Sequence, residues 1–192
     1  GYFHAEGSFA IEVPSGQAVI EATRGLEYSL SRQEVVLAPG ENPPVRLRLR
    51  RWIAMAREGW YSADSHIHAN YVAPHHQSIT PEDVRLQMEA EDLSFANLVI
   101  GNSYTDFIHD EALFEGRPHA LSKRNHILYW SEELRGGTSF GHMCFFNLKS
   151  LVHPLFTGLP GSRNWEDYPP NYTQAKLARA QGGAVTYAHP GY

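Results

Sequence analysis

Along the first 55 residues, apolar and polar positions follow the short periods of strands. Phe9-Ala-Ile-Glu-Val13 runs into the turn signal Pro14-Ser-Gly16, and residues 17–24 and 26–38 follow on either side of Gly25. After a second turn at 39–44, Val45-Arg-Leu-Arg-Leu-Arg50 alternates strictly, so Val45, Leu47 and Leu49 face a core while Arg46, Arg48 and Arg50 face solvent. Several short strands at even spacing predict a small all-β sandwich over residues 1–55.

The texture changes after Trp52. Thr80-Pro-Glu-Asp83 places a capping threonine, an N1 proline and acids in a first turn, predicting a helix from there to about Asp92. Phe95-Ala-Asn-Leu-Val-Ile100 reads as a buried strand, with further strands at 126–134, 140–148 and 184–188. A Pro-rich loop over 153–171 leads into a helix over 172–181, which Gly182-Gly183 ends. Strand and helix alternate, so residues 56–192 predict a parallel α/β domain. A complete α/β barrel takes roughly 200 to 250 residues. The segment after position 55 is shorter and stops just past a strand, at His189-Pro-Gly-Tyr192, so it reads as the front part of a barrel.

Composition narrows the class. The 192-residue chain has 16 Lys+Arg against 21 Asp+Glu, a formal charge of -5, and 42% apolar residues. That is too apolar for a disordered chain, and no apolar run approaches a membrane span. The mild acidity argues against nucleic acid as partner, and the alternation of residues 45–50 accounts for the one basic stretch. A single cysteine, Cys144, excludes an intrachain disulfide and a thiolate zinc cage; within Met143-Cys-Phe-Phe146 it reads as a buried, inert thiol. Gly1-Tyr-Phe-His4 carries no signal peptide, and a removed leader would leave the same start, so the compartment stays open, with a lean to a periplasmic or secreted bacterial protein.

Histidine, with eleven copies, is the unusual count. In Asp64-Ser-His66-Ile-His68, residues two apart on a strand project to one side, a row that an apolar core does not use and a metal ion does. Glu132-Glu133, His142 and His189 lie at or beside other predicted strands, and functional groups of such folds gather at strand ends. Neighbours on a strand point oppositely, so only one of Glu132 and Glu133 can face the site. Together these residues predict a two-metal site. His75-His76 lies in a Pro-flanked loop within reach of it. Asn70, Tyr71, Asn102, Arg135 and Tyr187 are candidate pocket residues because they neighbour the motifs, and Trp165–Pro170 is a candidate rim. His4, His109, His119, His126 and His153 read as surface or packing residues.

Gly59-Trp-Tyr-Ser-Ala-Asp64-Ser-His66-Ile-His68-Ala-Asn70 resembles the opening motif of the PHP (polymerase and histidinol phosphatase) superfamily, and more closely its carbaryl-hydrolase-like branch of metallohydrolases. Glu89-Ala-Glu-Asp-Leu93, Ser131-Glu-Glu133 with Gly141-His142, and Gln181-Gly-Gly-Ala-Val-Thr-Tyr-Ala-His189-Pro190 extend the likeness over roughly residues 59 to 190. Residues 1–55 are similar to the carboxypeptidase-regulatory-like modules that precede such domains. The resemblance implies a PHP-type distorted β/α barrel in which His66 and His68 hold one metal, Glu133 bridges, and His142 and His189 hold a second, with Asp64 in support. It implies two divalent ions, with zinc first and manganese or iron next, acting on a small-molecule substrate. Val99-Ile-Gly-Asn102-Ser-Tyr stands where many members carry Thr-Asp-His, so a binuclear site is the most expected here. The family's late Asp-x-His motif is not reached.

The chemistry expected of such a site is hydrolysis: bound water, its pKa lowered from 15.7 to about 7, attacks an amide, carbamate or ester, or alternatively a phosphoester. A non-catalytic domain that binds metal or ligand is the competing expectation, followed by an accessory carbohydrate- or protein-binding module. Open sheet edges further predict a homo-oligomer, or association with a C-terminal part.

Overall fold

The structure is a computed structural model, and it describes residues 2–70, 78–102, 107–137 and 140–189. Its strands are β1 (Gly16–Ala22), β2 (Tyr28–Ser29), β3 (Ser31–Leu37), β4 (Arg50–Arg51), β5 (Ala63–Ile67), β6 (Phe95–Asn102), β7 (Ile108–His109), β8 (Ile127–Arg135), β9 (His142–Phe146) and β10 (Ala184–Tyr187). Its helices are α1 (Pro81–Ala90) and α2 (Asn171–Ala180). The chain is mixed α/β and divides into two compact units.

The first unit takes residues up to Ser62 together with Leu86–Ser94. Its strands form two separate antiparallel pairs, β1 with β3 and β2 with β4. Phe9–Val13 forms no strand, and of the 45–51 stretch only Arg50–Arg51 pairs. The alternation nonetheless holds in burial: Val45, Leu47 and Leu49 are half-buried, while Arg46, Arg48 and Arg50 are exposed. No side chain between residues 2 and 62 is fully buried, and Met88 is the one that is among the described residues of this unit. These residues thus show two antiparallel pairs, the coarser part of the expected β-module. Two-stranded ribbons lack the facing sheet against which an apolar face is covered.

The second unit takes Ala63–Arg85 and Phe95–Tyr192. A mixed sheet in the order β10-β9-β8-β6-β5 organises it, with β7 on β6. β5, β6 and β8 are mutually parallel, as the sequence predicts, but β9 and β10 are antiparallel to their neighbours. The all-parallel expectation fails at residues 136–141. So short a connection makes a hairpin, whereas a parallel return needs a dozen or more residues. Gly136 is required in that hairpin, since a Cβ there would stand 2.6 Å from the Gly141 carbonyl oxygen.

The helix start is as read. Thr80 and Asp83 exchange capping bonds, Asp83 N donating to Thr80 Oγ1 at 3.2 Å and Thr80 N donating to Asp83 Oδ2 at 2.9 Å. The Thr80 N–H and hydroxyl, both donating to Asp83 Oδ2, hold the Asp83 carboxyl below its usual range. β8 lies between β6 and β9 and is buried from Leu128 through Leu134, the profile of a strand covered on both faces. One face carries the apolar core, where Leu134, Met143, Phe145, Leu148, Val152 and Ala178 of α2 cluster. Alternation puts Glu133 on the other face, and there the polar side chains converge. Among the described residues, no helix is long and apolar enough to cross a membrane.

Candidate metal centre

Four strands of the sheet supply the centre. His66 lies near the end of β5 and His68 just beyond it, where the pairing of β5 with β6 shifts register between Asp64 and Ile67. Glu133 lies in β8, and His142 opens β9. His189 lies two residues past β10 with φ of +55°, a backbone conformation sparse for a residue with a Cβ. Regular alternation would send residue 189 to the opposite face from Thr186 and Ala188. The left-handed turn brings its ring back to His66 and His142, with ring centroids 5.1 and 5.8 Å away.

The carboxylate of Glu133 is the hub. Its Oε1 lies 3.4 Å from His66 Nε2, 3.1 Å from His142 Nδ1 and 3.7 Å from His189 Nε2, and its Oε2 lies 3.0 Å from His68 Nε2. His66 Nε2 and His68 Nε2 are 3.0 Å apart. Two ligand triads result, His66-His68-Glu133 and Glu133-His142-His189, each with donor atoms within 4.8 Å of one another, and Glu133 belongs to both.

The electrostatics are those of a cation site. Glu133 is 1% exposed, yet its Oε2 has no hydrogen bond of acceptable geometry even with His68 so close. Burial alone would raise its pKa. The close imidazoles of His142, His66 and His68 outweigh burial and hold the carboxyl far below the usual range. His66 is pushed up to about 10, by contact with the Cys144 thiol and then by Glu133, against burial, which lowers it. Both contacts favour the charged imidazole of His66. Nitrogen and carboxylate donors facing a common point, one oxygen of them without a hydrogen bond, fit a divalent ion.

The other sequence candidates are placed as follows. Asp64 is exposed, belongs to neither triad, and accepts the His66 backbone N–H at 3.0 Å, so it fixes the turn of the ligand strand. Glu132 points into the core face, where its Oε2 accepts the Val152 N–H at 2.7 Å, so of the two glutamates Glu133 faces the centre. Arg135 shares the Glu133 face and sits directly opposite His142. Tyr187 is paired with Met143 and takes that residue's face, away from Glu133; regular alternation would keep residue 189 on the same face, and the left-handed turn at His189 parts the two. Asn70 donates to Asp110 Oδ1 at 2.8 Å and exchanges two bonds with the Ile79 backbone. Tyr71, His75 and His76 lie outside the described residues, as does the side chain of Asn102.

Two residues escaped the sequence reading. Cys144 is buried as expected, but it stands opposite Glu133 on β9 and its thiol lies against His66. The signal was present, since Cys144 is two residues from His142 and shares its face. His109 is 7% exposed and lines a depression with His68, Asn70, Val99, Gly101 and Asp110. It reaches that position through a two-residue strand with no periodicity to read. No family profile, curated protein or solved structure matches the chain.

Proposed function

We propose that this chain carries the binuclear centre of a metal-dependent hydrolase. The observation that carries the reading is Glu133, one buried carboxylate belonging to both ligand triads. His66 and His68 would hold one ion, His142 and His189 the other, with Glu133 between them. Bound there, two ions would supply a hydroxide nucleophile at neutral pH and polarise the bond under attack. Each triad offers three protein donors, which leaves positions open, whereas structural sites close with four. This favours chemistry over a purely structural ion and over a degenerate domain.

The reaction class follows from the resemblance to the carbaryl-hydrolase-like branch of the PHP superfamily: an amide, carbamate or ester, with a phosphoester as the second class to test. The distorted β/α barrel and the regulatory-like N-terminal module belong to the same proposal, as do zinc as first metal and a small-molecule substrate.

Metal content per chain, measured by plasma mass spectrometry on protein purified without chelator, tests the reading. About two ions per chain, lost in the His66→Ala/His68→Ala double variant together with ester or carbamate hydrolysis, is the expected result. A well-folded chain that holds no ion and takes up none overturns it.

A further inference from the structure

Among the described residues β3 pairs with β1 alone, so its other edge presents backbone groups that no strand meets. An open groove of about 560 Å³ runs along that edge, within the roughly 300–1,000 Å³ that binding clefts occupy. Val35 and Leu37 on one face of β3 and Val36 on the other all line it, with Pro43, Val45 and Arg46 across from them and no residue of β1. Such a lining follows an edge, since a groove over one face touches only alternate residues. Asn42 keeps the groove open. Its side chain bonds Ala38 N at 2.9 Å and Ala38 O at 3.0 Å, occupying the backbone groups with which a returning strand would begin its ladder.

Phe9-Ala-Ile-Glu-Val13 has the pattern of a strand and forms none. Phe9, Ile11 and Val13 are each more than half exposed, and among the described residues the segment makes no backbone hydrogen bond. Its alternation matches the groove. Half-buried Val35 and Leu37 alternate with exposed Glu34 and Val36 on one wall, and half-buried Val45 and Leu47 with exposed Arg46 and Arg48 on the other. A strand laid between the walls sets Phe9, Ile11 and Val13 with the half-buried rows and Glu12 with the arginines.

Charge agrees with shape. Residues 42–57 hold Arg46, Arg48, Arg50, Arg51 and Arg57 and no acid, while residues 1–13 hold Glu6 and Glu12 and no Lys or Arg. Arg46 and Arg48 make no ion pair among the described residues, and Glu34 on the same wall is already bonded to Arg32 at 2.9 Å. The segment cannot reach the β3 edge of its own chain. Antiparallel to β3 it would run parallel to β1, and parallel neighbours need a connection of about a dozen residues where Pro14 and Ser15 alone intervene.

We propose that residues 9–13 of one copy add as a strand to β3 of a second copy, filling this groove, and that the exchange is reciprocal. Backbone bonds along the edge supply affinity, and Glu12 against Arg46 and Arg48 supplies register. The two-fold arrangement closes on itself and leaves neither groove open. The inference is independent of the hydrolase reading.

Sedimentation of the full chain across micromolar to millimolar concentration tests it, with two variants at exposed positions whose fold is checked by circular dichroism. The parent should dimerise, and hydrogen exchange at residues 9–13 should slow as concentration rises. Glu12→Arg alone and Arg46→Glu/Arg48→Glu alone should each weaken the dimer at least about tenfold, because each sets like charges against each other in both grooves. Mixing the two variants should restore a dimer of one copy of each, since opposite charges then meet in both grooves. A parent that stays monomeric, a dimer that neither variant weakens, or variants that fail to pair on mixing would overturn the proposal.

Discussion

Glu132 and Glu133 are adjacent on β8 and live in opposite chemical worlds. Glu133 faces four imidazoles and stays ionised, whereas Glu132 lies in the apolar core with one hydrogen bond from Val152 N. Burial pushes the Glu132 carboxyl up to about 8, only partly offset by that bond. Two carboxylates one residue apart are thus separated by the alternation of a strand.

This separation makes a pair of isosteric substitutions diverge. Glu133→Gln should remove both ions, because the shared ligand loses its charge, and metal analysis should read near zero per chain. Glu132→Gln should keep both ions. The folded pKa of Glu132 lies above the ordinary carboxylate value, so its proton is held in the fold after the unfolded chain has released it. Stability from this group is therefore full below about pH 4.5 and is lost as pH rises to about 8. Glu132→Gln should accordingly be about 1–3 kcal/mol more stable than the parent at pH 8 and equal to it at pH 4, measured by urea unfolding.

Single-ligand variants should split the stoichiometry. His68→Ala leaves the Glu133-His142-His189 triad whole, and His189→Ala leaves the His66-His68-Glu133 triad whole. Each should retain about one ion, with affinity at the damaged site down by tenfold or more. Loss of both ions in either single variant would show that the two triads act as one mononuclear site.

Metal uptake should release a proton and strengthen with pH. His66 is pushed up to about 10, so at neutral pH it is charged in the metal-free chain and must give up its proton to become a ligand. Calorimetric zinc titrations in buffers of different ionisation enthalpy should report about one proton released per chain at pH 7. Without metal the sign reverses. The stability that His66 draws from Cys144 and then Glu133 is full below about pH 6.5 and is lost as pH rises through about 10.

The hairpin that aims His142 depends on close backbone approach. Gly158 has φ of +69°, and a Cβ there would meet the Gly137 Cα at 2.7 Å. Asp167 braces the same spot, accepting from Gly137 N and Thr157 Oγ1, both at 2.9 Å. Gly158→Ala should cost about 2 kcal/mol or more in thermal unfolding, and should lower metal content before it abolishes the fold.

Legibility in the sequence followed the local character of each signal. The α1 cap, the strand at Phe95 and the His66/His68 row are local patterns, and each element formed where the pattern placed it. The direction of β9 was not legible, because a short glycine-rich connection reads alike before a hairpin and before a loop. The face that Tyr187 takes relative to His189 was not legible either, because it depends on the turn at His189. His109 comes beside β6 only through strand pairing with Gly101, a contact that no window of the sequence contains. The N-terminal strands were over-read, since alternation in Val45–Arg50 set burial without bringing a partner for a strand.

The donors that meet at Glu133 come from chain positions 66, 68, 142 and 189, and the last of them follows β10, the edge strand of the sheet. No partial chain ending before that strand can assemble both triads. Ions held there would clasp β10 to the rest of the sheet, so metal retention during refolding or synthesis would time the docking of that strand.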